Sequence, residues 1–148
     1  MYKKILVALD RASGAERALA VAGDLGRANG SVIRLLHVAP IPQAVMEGGR
    51  VLAYADQESE RVQHETLTYL RGVGRRLTGF AVECAVRFGD PAEEILQEAR
   101  DSGADLIAMA THGRTGVARL LLGSVAEAVL RQSEIPVVLV RHSLAEAA

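Results

Sequence analysis

The sequence predicts an α/β fold: a single open five-stranded parallel sheet with helices on both faces. Three observations carry this. Short, almost wholly apolar runs recur along the 148 residues. Between them lie segments with apolar residues at helical spacing and helix-start signals at their beginnings. The two kinds of segment alternate strictly, and such alternation forms a parallel sheet covered by its helices. Right-handed crossovers place those helices on both faces once the strand order reverses. A hydrophobic content of 49% suits one domain, 1–148, with its own core.

Ile5–Leu9 has no polar residue, as a strand buried on both faces requires. Ser13 and Glu16 follow at capping-box spacing, and Ala18, Leu19, Ala22 and Leu25 then repeat at helical spacing. Asn29-Gly30 stops that helix. Ser31–Val38 is the second strand, ended by Pro40 and Pro42. Residues 39–50 contain Gly48 and Gly49, show little period and read as a loop. A helix from about Asp56 to Leu77 carries the stripe Val62, Leu67, Leu70, Val73 and Leu77.

Phe80, Val82, Cys84, Val86 and Phe88 alternate with Ala81, Glu83, Ala85 and Arg87, which predicts an edge strand with one wet side. Asp90 reads as an N-cap, with Pro91 first and Glu93 third in the next helix. Ile95, Leu96 and Ala99 face inward, and Gly103 ends that helix. The fourth strand lies within Asp105–Ala110. Ser124 and Glu127 again have capping-box spacing, with Val125, Val129 and Leu130 as the inner stripe. Ile135–Val140 is the last strand.

The formal net charge of -1 excludes a strong pull toward nucleic acid or anionic membrane. Arg71, Arg75 and Arg76 read as a solvated helix face. Cys84 is the single cysteine, so an intrachain disulfide and a cysteine metal cluster are excluded; it reads as a small core residue. Only five apolar residues follow Lys4 before Asp10, too few for a secretory signal. No run approaches the roughly 18 to 20 apolar residues that span a bilayer. The expected location is the cytoplasm.

In open parallel sheets the ligand crevice lies beyond the carboxyl ends of the strands, where strand order reverses. Two turns at that end carry chemistry. Asp10-Arg11-Ala12-Ser13 leaves the first strand, and Thr111-His112-Gly113 through Gly123-Ser124 leaves the fourth. Gly113 and Gly123 allow backbone N–H groups to approach an anion, and Ser124 adds a hydroxyl at a helix N-terminus. Asp10 suits a ribose hydroxyl better than a phosphate. The same residues also read as ordinary caps and turns, with His112 a loop histidine, and the residues alone leave both readings open.

The segments KKILVALDRASGAERAL, VIRLLHV, FGDPAEEIL, ADLIAMATHGRTGVARLLLGSVAEAVL and IPVVLVR together resemble the universal stress protein family. The resemblance spans nearly the whole chain, apart from 40–60. The nucleotide-binding branch of that family carries G-x-x-G, nine residues, then G-[ST]. Here Gly113, the nine residues Arg114 to Leu122, and Gly123-Ser124 match, while Ala110 replaces the earlier glycine. The resemblance implies a Rossmann-like sheet of order 3-2-1-4-5, related to the adenine nucleotide α-hydrolases, and ATP or AMP as ligand, with or without Mg2+. It implies that Asp10 binds ribose and that the backbone around Val38 meets adenine beside Ala8. Gly113, Gly123, Ser124 and Val125 would hold phosphates, with Ala110, His112 and Arg114 in the same loop. Ala8 stands where a proline is common, and the Ala110 methyl lies where the backbone nears the nucleotide. Arg114 and Arg119 either offset phosphate charge or face solvent.

The last strand, Pro136–Val140, is then an apolar sheet edge, and such edges invite pairing. The resemblance implies a homodimer through this strand. The glycine loop lacks the lysine of G-x-x-x-x-G-K-[ST], and no carboxylate pair is spaced for Mg2+ and a base. The expectation is a stress-response regulator that binds adenine nucleotide with little hydrolysis. The alternative is a nucleotide-independent dimeric interaction module, which Ala110 favours. A nucleotidyl-transfer enzyme is disfavoured by the missing serine-rich pyrophosphatase loop.

Overall fold

The computed structural model describes residues 2–11, 16–113 and 123–143. In chain order the elements are β1 (Lys4–Ala8), α1 (Arg17–Arg27), β2 (Val32–Ala39), β3 (Val45–Glu47), β4 (Arg50–Ala53), α2 (Ala55–Gly74), β5 (Ala81–Phe88), α3 (Pro91–Ser102), β6 (Leu106–Gly113), α4 (Ser124–Gln132) and β7 (Val137–Ser143). Five strands form one sheet in the order β5-β2-β1-β6-β7, and every neighbouring pair is parallel. Counted within that sheet, the order is 3-2-1-4-5, as the resemblance implies.

The apolar runs form the sheet's centre because both of their faces are covered. Ile5–Val7, Leu35, Leu36 and Leu106–Ala108 are fully buried. Strand alternation divides them between two cores. Ile5, Val7, Ile33, Leu35, Leu106 and Ala108 meet α1 and α2. Leu6, Leu36, Ile107 and Met109 meet α3 and α4 on the other face. The signals around α3 hold as read: the Asp90 carboxylate accepts from the Glu93 N–H at 3.0 Å, and Gly103 adopts the left-handed φ of 72° that closes the helix.

Several local readings change. Residues 45–53, partly within the expected loop, form a β3–β4 antiparallel hairpin. The wet side of β5 is partly covered by α3. There the Glu98 carboxylate, 5% exposed, accepts from Arg34 Nε at 2.8 Å and Arg87 Nε at 2.7 Å. Arg34 also reaches Glu83, Lys4 joins Glu83, and Arg87 reaches Glu94 and Asp101. The inner stripe of α4 runs through Ala126 and Val129, and Leu130 is 46% exposed. Finally, Gly123 rather than Ser124 is the N-cap of α4, and Glu127 pairs with Arg131 instead of closing a capping box. For α1 the N-cap is Glu16; Ser13 lies outside the described residues.

Candidate functional site

The register of the sheet creates an opening at its carboxyl end. β1 stops at Ala8, opposite Leu36 of β2 and Met109 of β6. β2 runs on for His37, Val38 and Ala39, held on its outer side by Val86–Phe88 of β5. β6 runs on from Ala110 to Gly113, held by Val140–Ser143 of β7. At a strand rise of about 3.3 Å per residue, these overhangs are walls on the order of 10 Å high. They stand on either side of the point where strand order reverses, which is where a ligand enters such sheets.

Alternation fixes which side chains face which side. Ala8 and Val38 belong to the α3/α4 face. Thr111, buried, shares the parity of Ile107 and Met109 on β6 and so the same face. Ala110 has the parity of Leu106 and Ala108, pairs with Val140, and directs its methyl to the α1/α2 face. The residue that stands in place of the family's earlier glycine therefore turns away from Ala8 and Val38.

The chain leaving β1 stays fastened to β2. The Leu9 N–H donates to the Leu36 carbonyl at 2.8 Å, and His37 Nδ1 lies 2.7 Å from the Leu9 carbonyl oxygen. Asp10 follows, exposed at the mouth. Arg11 then takes a φ of 68°, and its guanidinium carbon lies 4.8 Å from the centroid of the Tyr69 ring on α2. Burial pushes the Tyr69 hydroxyl pKa up, the charges of Glu16 and Asp10 push the same way, and Arg11 and Arg76 oppose them. Arg76 bonds Glu16 at 2.5 Å. Sequence reasoning does not single out Arg11 or Tyr69; a positive φ at a non-glycine and a contact between distant segments leave no local signal.

The other side of the site is the entry to α4. His112 and Gly113 end β6, paired with His142 and Ser143. Arg114, Arg119 and the rest of 114–122 lie outside the described residues. Gly123 has φ 90° and ψ 150°, and among the described residues no side chain caps the helix. The first bond of α4 runs from the Glu127 N–H to the Gly123 carbonyl at 3.0 Å. The N–H groups of Ser124, Val125 and Ala126 precede it and have no partner inside the helix. Gly123 and Ser124 are exposed and Val125 is half-buried. Such an end presents N–H donors and partial positive charge to an anion.

Among the described residues no cluster of three or more His, Cys, Asp or Glu could hold a metal ion. Among them, too, no helix is long and apolar enough to cross a membrane.

Residues 1–141 match the model of the universal stress protein family. The chain is 37% identical over 145 residues to the Thermus aquaticus "Universal stress protein in QAH/OAS sulfhydrylase 3'region", covering 95% of this chain and 100% of that protein. Among solved structures it is similar to MJ0577 of Methanocaldococcus jannaschii, a universal stress protein, with a TM-score of 0.76, 29% identity and coverage of 96% and 97% of the two chains. The universal stress protein of Archaeoglobus fulgidus in complex with dAMP shares the fold, with a TM-score of 0.63, 24% identity and coverage of 93% and 97%.

Proposed function

Because the chain belongs to the universal stress protein family, we propose that it binds an adenine nucleotide in the crevice beyond β1 and acts as a cytoplasmic stress-response regulator. The observation that carries this is the short β1 between the overhanging ends of β2 and β6. The N-terminus of α4, which no described side chain caps, adds phosphate-binding chemistry. The Archaeoglobus fulgidus protein, which has the same fold, forms a complex with dAMP, and this supports the reading. In this reading Asp10 accepts hydrogen bonds from ribose hydroxyls. The backbone at Val38 meets the adenine edge beside Ala8. Amides of Gly113, Gly123, Ser124 and Val125 hold phosphate, with Ala110 and His112 in the end of β6 that leads to Gly113 and with Arg114 as the residue that follows it in the sequence. Binding proceeds with little hydrolysis.

The nucleotide-independent alternative rests on Ala110. The direction of its methyl, on the face opposite Ala8 and Val38, weighs against that alternative. The test is calorimetry of the full chain with ATP and AMP, each with and without Mg2+, and with cyclic AMP. Binding of at least one is expected; absence of heat and of competition with all three overturns the reading. Asp10→Ala should weaken AMP about tenfold, the scale of a hydrogen bond to a charged group. An unchanged AMP affinity removes Asp10 from the site.

We also propose that β7 pairs with β7 of a second copy. Val137–Val140 is apolar, only half-buried, and bonded to β6 on one side alone in the sheet order. Light scattering after sizing should give twice the 15.8 kDa chain mass. A monomer at micromolar concentration contradicts it.

A further inference from the structure

We propose that Tyr69 is a positioning residue for the nucleotide site: it holds Arg11 in a left-handed conformation that fixes where the Asp10 carboxylate points. This rests on the reading of Asp10 as the ribose acceptor. Asp10 sits between two clamps. On one side Leu9 is tied to β2 by its N–H to Leu36 and by its carbonyl to the His37 ring. On the other, Arg11 lies over the Tyr69 ring at 4.8 Å.

A φ of 68° is uncommon for arginine, because the Cβ crowds the following carbonyl. Such a conformation persists only where the surroundings over-determine it. The contact with Tyr69 is attractive by cation–π electrostatics. The ring itself is anchored, since Tyr69 packs partly buried against the α1/α2 core. Arg76, further along the same chain segment, bonds Glu16. Arg11 and Glu16 are therefore both held from the α2 side. The arrangement makes the direction of one carboxylate depend on a ring in a helix that contributes no proposed contact to the nucleotide.

The test separates this from general loosening of the fold. Affinities for AMP and for 2′,3′-dideoxy-AMP, which lacks the ribose hydroxyls, are measured by calorimetry, with thermal unfolding as the folding check. Tyr69→Phe keeps the ring and should bind AMP as the wild type does. Tyr69→Leu should weaken AMP about five- to tenfold, the scale of a partly desolvated cation–π contact, with no change for the dideoxy compound. In an Arg11→Gly background, where a positive φ needs no support, Tyr69→Leu should have no further effect. The proposal is overturned if Tyr69→Leu leaves AMP affinity unchanged, or weakens both compounds equally. A wild-type protein that binds neither compound overturns the reading of the site itself, which is a different result from either of these.

Discussion

Glu98→Ala is expected to lower the stability of the fold by about 3 kcal/mol, at the lower end for breaking a buried ion pair. The carboxylate is 5% exposed and accepts from two guanidinium groups on neighbouring strands, Arg34 of β2 and Arg87 of β5. Removing it leaves two partly buried cations facing each other across the gap. The loss is moderated because Arg34 keeps Glu83 and Arg87 keeps Glu94 and Asp101. Thermal unfolding should fall by roughly 6 to 12 °C for a chain of this size. Glu98→Met retains most of the packing volume, so a loss nearly as large in that variant assigns the effect to charge. A midpoint within 2 °C of wild type in both, measured by calorimetry and counted as roughly no change, would remove the network from any account of stability. The same network sets an acid limit. The bond to Lys4, and after it that to Arg34, hold the Glu83 carboxyl below its ordinary value of 4.5. A carboxylate held down in the folded state stabilises the fold above that ordinary value, and the contribution is lost as pH falls below it.

The sheet was legible because its signals are local and mutually consistent. Apolar runs too short for helices mark the central strands, and Asp90-Pro91 and Gly103 bracket α3 with cap chemistry that the structure reproduces. The failures share a cause: they depend on what stands opposite. Glu83 and Arg87 look like solvent residues along β5, since nothing in that stretch shows that α3 lowers Glu98 onto Arg87 or that Lys4 and Arg34 reach Glu83. Leu130 fits the helical stripe of α4, yet the contact turns on Ala126 and Val129. Val45–Glu47 and Arg50–Ala53 are too short to show a period of two, so their hairpin reads as loop. Ser124 and Glu127 satisfy the capping-box pattern, but with Gly123 as the N-cap the helix starts one residue earlier than that pattern requires. At the site, Asp10 and Gly123 are legible as polar and glycine residues at element junctions. The walls are not, because they depend on β1 ending three residues before β2 does in the shared register.

Gly123→Val is expected to weaken phosphate-bearing adenine nucleotides by at least about 100-fold, the sum of two charge-assisted hydrogen bonds lost together. The cause is conformation rather than space. Among the described residues a Cβ at Gly123 would meet nothing within 4 Å, but the φ of 90° is one that L-residues rarely adopt. Valine, branched at Cβ, is among the least tolerant of it. The variant chain is expected to relieve the strain by rotating Gly123's φ to negative values. That rotation turns the peptide planes leading into α4 and swings the N–H groups at Ser124 and Val125 away from the crevice. The fold should lose only about 1 to 2 kcal/mol, since the strain lies at an exposed helix start. Ser124→Ala removes one hydroxyl and leaves the amides in place, so a loss of about fivefold is expected there, as for a single net hydrogen bond. Adenosine, which has no phosphate, supplies the discriminating measurement. Its affinity should be unchanged by Gly123→Val if the amides grip phosphate alone. A valine variant that binds AMP within about threefold of wild type, under 1 kcal/mol, would show that the start of α4 does not hold the phosphate. A parallel loss for adenosine and AMP would show that it shapes the crevice as a whole.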